Sequence, residues 1–150
     1  MSVYKRILVA IDFSDINRVA VERATNLAKQ DKSELILLHV IEHFPVDGGP
    51  LSSVFQYNTE PDDALAQHVR AKMDELKQTL DFQDLQTEFR ITSKSARHEI
   101  LRYAKVHDVD LIVVAPHGQG IIGTLGSTAM GVLNNAVCDV LSVREPARSV

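Results

Sequence analysis

The chain has 150 residues, of which 45% are apolar and 24% charged, and its formal net charge is −4. A chain of that length fits one domain able to bury roughly two-thirds of the surface its unfolded form exposes, and that composition argues against intrinsic disorder. Its basic residues are spread along the chain and mostly interleaved with acids, which argues against nucleic acid as a partner.

No segment approaches the ~18 uninterrupted apolar residues of a membrane helix, and the start "MSVYKRILVAIDFSD" lacks the apolar core and cleavage site of a secretion leader. The expectation is a single cytoplasmic domain over 1–150, with neither membrane nor nucleic acid as partner. Cys138 is the sole cysteine, so no disulfide forms within the chain. Its apolar flanks suggest a small buried hydrophobe, and no basic cluster stands beside it in sequence to make its thiol reactive.

In chain order, "RILVAI" (6–11) reads as a buried strand. Ile16, Ala20, Ala24, Leu27 and Ala28 follow on one face of a helix that Ser14 or Asp15 could cap. "ELILLHV" (34–40) is a second buried strand. Residues 42–60, rich in Pro, Gly and Ser, show no sustained period and read as a functional or mobile loop. Leu65, Val69, Met73, Leu76 and Leu80 form a second helical stripe, with Pro61 and two acids before it suited to a helix start.

"LQTEFRI" (85–91) alternates apolar with polar residues, so one face is wet and an edge position is expected. Ala96, Ile100 and Ala104 mark a third helix, "DLIVVA" (110–115) a fourth strand, 126–136 a fourth helix and "DVLSV" (139–143) a fifth strand. This alternation predicts a parallel sheet, and right-handed crossovers favour a doubly wound open sheet of five strands.

In such sheets ligands sit beyond the carboxyl ends of the strands, where strand order reverses. The crevice should be lined by "AIDFS" after the first strand and "VVAPHGQG" after the fourth. Asp12 can there accept hydrogen bonds from ribose hydroxyls, or it can open an Asx-type turn. The stretch "APHGQGIIGTLGST" (115–128) carries three competing patterns. Its G-x-G-x-x-G over 118–123 is a dinucleotide fingerprint in the wrong place, after the fourth strand and without the acid that should close the next. The G-K-[ST] of a Walker loop is absent. Gly126, Ser127 and Thr128 at a helix N-terminus would favour an anion through backbone N–H groups, or Ser127 or Thr128 would simply cap the helix.

His39 and His43 share a face only if the second strand runs on through Glu42, and no third metal ligand can be placed with them. No metal is expected. Lys94, Arg97, Arg102 and Lys105 read as the solvated face of the third helix. No nucleophile, base and orienter can be assembled, so no catalytic residue is assigned.

"YKRILVAIDFSD", "LLHVIE", "DLIVVAPHG" and "LGSTAMGVLNNAVCDVLSVRE", in that order, resemble the universal stress protein family over essentially the whole chain. The resemblance implies an adenine nucleotide alpha hydrolase-like α/β fold, with strand order 3-2-1-4-5 and helices on both faces. It also implies a homodimer joined through strand 139–143. Nucleotide-binding members carry G-x-x-G, nine residues, then G-[ST] on this loop. By similarity Ala10, Asp12, Val40, Ala115, His117, Gly118, Gly126, Ser127 and Thr128 would line a site for ATP or ADP, with Asp12 at the ribose and the Val40 backbone at adenine.

Two departures bear on that site: Ala115 replaces the first glycine, and only seven residues separate Gly118 from Gly126. Seven is the spacing of the A-type branch, whose members are generally regarded as not binding ATP, yet Gly118, Gly126 and Ser127 remain. The implied function is a stress-response binding or signalling module. The alternatives are an ATP-binding switch with slow hydrolysis or autophosphorylation at Ser127 or Thr128 and, more remotely, a dinucleotide oxidoreductase.

Overall fold

The computed structural model describes residues 2–13, 15–42, 63–115 and 126–144, with the side chains of 15–17 and 63–65 left aside. Five strands, β1 (Arg6–Ile11), β2 (Glu34–Glu42), β3 (Leu85–Thr92), β4 (Leu111–Val114) and β5 (Asp139–Ser142), form one sheet. Every pairing is parallel, as the alternation predicted, and the order is β3-β2-β1-β4-β5, as the family resemblance implied. The wet-faced strand, β3, lies at an edge. β2 runs two residues beyond the predicted end because its pairing with β3 continues to Glu42 opposite Thr92.

Among the described residues four helices cover the sheet: α1 (Asp15–Asp31), α2 (Asp63–Thr79), α3 (Ala96–Val106) and α4 (Ser127–Asn135). Their distribution follows from side-chain alternation along the strands. Ile7, Val9, Leu35, Leu37 and Val113 point to one face, where Ala20, Ala24 and Ala28 of α1 and Val69 and Met73 of α2 close over them. Leu8, Ile36, Leu38, Ile112 and Val114 point to the other, under Ile100, Tyr103 and Ala104 of α3 and Ala129 and Val132 of α4. A strand with apolar residues at every position can satisfy both layers at once, which is why β1, β2 and β4 read as continuous apolar runs. Among the described residues no helix is long and apolar enough to cross a membrane.

Lys94, Arg97, Arg102 and Lys105 are exposed, as their assignment to a solvated face of α3 predicted, and Arg102 pairs with Glu99 at 2.9 Å. The structure adds that the Arg97 stem lies across α4 at Gly131, where a Cβ would come within 1.8 Å of Arg97 Cδ. Only a residue without a side chain lets it approach so closely. Cys138 is half-buried rather than buried, because it lies in the turn before edge strand β5, packed against the second core layer. Burial, then the nearby Asp139 charge, pushes its thiol pKa up. The proposed caps Ser14 and Asp15, and Pro61, lie outside the described residues or side chains.

Leu37 is fully buried between β1 and β3 neighbours, so Leu37→Ala should lower unfolding stability by about 2–5 kcal/mol in urea titration. A loss below 1 kcal/mol would contradict the packing described here. The raised thiol pKa predicts that Cys138 reacts with iodoacetamide at pH 7 more slowly than free cysteine; mass-spectrometric time courses check it.

Candidate functional site

α1, next after β1, and α4, next after β4, lie on opposite faces of the sheet, and a cleft of about 420 Å³ opens at the carboxyl ends of β1 and β4. Its floor is apolar: Leu38 of β2, Ile100 of α3, Val114 of β4 and Ala129 of α4. Polar groups stand around that floor, with Asp12 after β1, Glu42 at the end of β2, and Ser127 and Thr128 opening α4. An apolar bed with a few convergent polar groups is the usual form of a small-molecule site.

The end of β1 is braced from the side away from the cleft. His39 Nδ1 donates to the Ile11 carbonyl at 2.8 Å, and the Phe13 ring packs at a tilt against the His39 ring, centroids 4.7 Å apart. Phe13 itself adopts φ 62°, a left-handed conformation that bulky residues seldom take. That turn directs Phe13 into the α1/α2 layer and leaves the preceding residue, Asp12, at the mouth of the cleft.

The opposite wall is the start of α4. Its N-cap is Gly126, in extended conformation (φ −66°, ψ 167°), and no side chain makes a capping hydrogen bond. The reading in which Ser127 or Thr128 caps the helix is therefore corrected: both are already inside the first turn. The first intrahelical bond runs from Met130 N–H to the Gly126 carbonyl at 3.0 Å. The N–H groups of Ser127, Thr128 and Ala129 precede it and have no carbonyl partner within the helix. The first turn contains no acid, so the positive end of the helix dipole is not answered by α4 itself.

A third wall forms where β2 meets α3. Glu42 Oε1 accepts the Ala96 N–H at 2.6 Å, while the N-cap Ser95 Oγ accepts the His98 N–H at 3.2 Å. Glu42 thus pins the start of α3 against β2 and, together with Ala96, lines the cleft.

Of the residues singled out from sequence, Ala10, Asp12, Val40, Ala115, Gly126, Ser127 and Thr128 all line this one cleft. His117 and Gly118 lie outside the described residues, as does His43. Sequence reading missed Glu42, Ala96 and Ile100. Parity could have found Glu42: positions 38, 40 and 42 of a strand share a face, and Val40 was already placed there.

Comparison with known proteins is consistent with this geometry. The model of the universal stress protein family matches residues 3–144. Universal stress protein A homolog 1 of Coxiella burnetii is 36% identical over 143 residues, covering 93% of this chain and 96% of the relative. Among solved structures, universal stress protein UspA from Lactobacillus plantarum superposes with a TM-score of 0.77 at 30% identity, covering 94% of this chain and 98% of that one. A universal stress protein solved in complex with cAMP has a TM-score of 0.62 at 22% identity, covering 93% and 96%, and shares the fold alone.

Proposed function

Because the chain belongs to the universal stress protein family, we propose that it is a cytoplasmic stress-response module, a single domain acting as a homodimer, that binds an adenine nucleotide, ATP or ADP, in the β1/β4 cleft. The observation that carries this reading is the convergence of Asp12, the Val40 backbone region and the uncapped start of α4 on one apolar-floored cavity. In this reading Asp12 accepts the ribose hydroxyls, the backbone at Val40 meets the edge of adenine, and the N–H groups of Ser127, Thr128 and Ala129 receive phosphate. Ala115 adds one methyl where nucleotide-binding relatives carry glycine, and it belongs to the lining of this cleft. The complex of a protein of the same fold with cAMP supports the ligand class. The role is binding and signalling, without catalysis.

Mass spectrometry of ligand released from the purified protein, followed by titration calorimetry with ATP and Mg²⁺, tests the reading. Binding should be seen, and Asp12→Ala should weaken it by about tenfold or more, the usual cost of a hydrogen bond to a charged group. Silence at millimolar nucleotide would refute it. Transfer of labelled phosphate to Ser127 or Thr128 would favour the alternative switch over a passive module.

We assign the homodimer contact to β5, and this reading is supported by its place as the last strand of the sheet and by exposed Leu133 and Val137 close by in sequence. Leu141→Asp should convert dimer to monomer by light scattering with the far-UV circular dichroism retained. An unchanged mass would refute this interface.

A further inference from the structure

We propose that the cleft is selective for charge as well as for the base: it takes an adenine ligand with one phosphate in preference to a metal-free triphosphate, and Glu42 is a residue that sets this preference. The inference rests on the nucleotide reading above. Among the described residues that line the cleft, the ionisable side chains are Asp12 and Glu42, and both are acids.

The stretches that follow β1, β2 and β4 in sequence are equally poor in lysine and arginine. No lysine or arginine occurs between Arg6 and Arg18, between Lys32 and Arg70, or between Lys105 and Arg144. The segments that leave β1, β2 and β4 at their carboxyl ends fall entirely within those three intervals. The basic residues after β3 are engaged elsewhere: Lys94 and Arg97 line a separate hollow with His98 and Asn135, and Arg97 lies across Gly131.

Arg90, beside Val40 on the next strand, is paired with Glu88 at 2.9 Å. Positive potential in the described cleft comes from the start of α3 at Ala96, which Glu42 already answers, and from the start of α4, equivalent to about half an elementary charge. That suits one phosphate group. The further charges of a triphosphate would meet no basic side chain there, and they would lie in the field of two carboxylates.

Glu42 cannot simply swing away from the ligand without a cost, because its Oε1 holds the Ala96 N–H at 2.6 Å. The positive end of α3 offsets part of its charge, so the selectivity is graded. Glu42→Gln retains an oxygen able to accept that hydrogen bond and removes the charge.

Titration calorimetry of the wild-type protein and of Glu42→Gln with adenosine, AMP, ADP and ATP, each in EDTA and then in excess Mg²⁺, tests the proposal. In EDTA the wild type should bind AMP at least about tenfold more tightly than ATP, the size expected of one unscreened like-charge contact at intermediate dielectric. Mg²⁺ should close most of that gap, and Glu42→Gln should narrow it in EDTA by about threefold or more. If Glu42 only pinned α3, its substitution would shift all four ligands together and leave the AMP to ATP ratio unchanged, which overturns its selective role. ATP binding in EDTA as tightly as AMP overturns the charge preference while leaving the nucleotide reading intact. Failure of all four ligands, uncharged adenosine included, overturns the nucleotide reading itself and this inference with it.

Discussion

The site depends on one topological constraint: β1 is the strand from which the sheet was wound twice, in opposite directions. β2 and β3 were added on one side of it with α1 and α2 over one face, and β4 and β5 on the other side with α3 and α4 over the opposite face. Right-handed crossovers make that switch of face unavoidable once the strand order reverses. α1 and α4 therefore lie on opposite faces, and the space at the carboxyl ends of β1 and β4 is not filled by the helices of either layer. Asp12 and the start of α4 face each other across it for that reason.

The two halves of the site are held by different interactions. On the β1 side, His39 and Phe13 form a brace on the α1/α2 face, which fixes where Asp12 emerges. On the far side, Glu42 fixes α3, and Arg97 of α3 lies on Gly131 of α4, so that the walls made by α3 and α4 are mechanically linked. A ligand touching both Glu42 and the α4 N-terminus would bear on this linked pair. The electrostatics are lopsided in the same way, since Glu42 answers the start of α3 while the first turn of α4 carries no acid.

Much of the fold was legible because central strands of a parallel sheet must be apolar on both faces, and runs such as that of β2 admit few other readings. The edge position of β3 followed from its alternation, and the strand order from crossover handedness together with the family resemblance. The site residues on β1, β2, β4 and α4 followed from the same two sources. What escaped had non-local causes. Glu42 closes an apolar run and reads as the end of a strand, but pairing with Thr92 carries β2 through it and aims its side chain into the cleft. Within "GST" no local signal distinguishes the cap from the first turn, and the structure places the cap at Gly126. Cys138 has the flanks of a core residue but sits at the sheet's edge, where the described chain covers it only in part. Arg97 is exposed, as its helical face implied, but nothing in its own helix reveals that its stem crosses Gly131 of another.

The central claim is spatial: a nucleotide binds where β1, β2, β4 and α4 converge. Backbone amide NMR during titration with AMP measures it directly. The account predicts shifts at Asp12, at 40–42, at Ala115 and at 126–129, with the α1/α2 face, including Arg18 and Lys72, left unmoved. Shifts centred on that opposite face, with the α4 N-terminus silent, would contradict it.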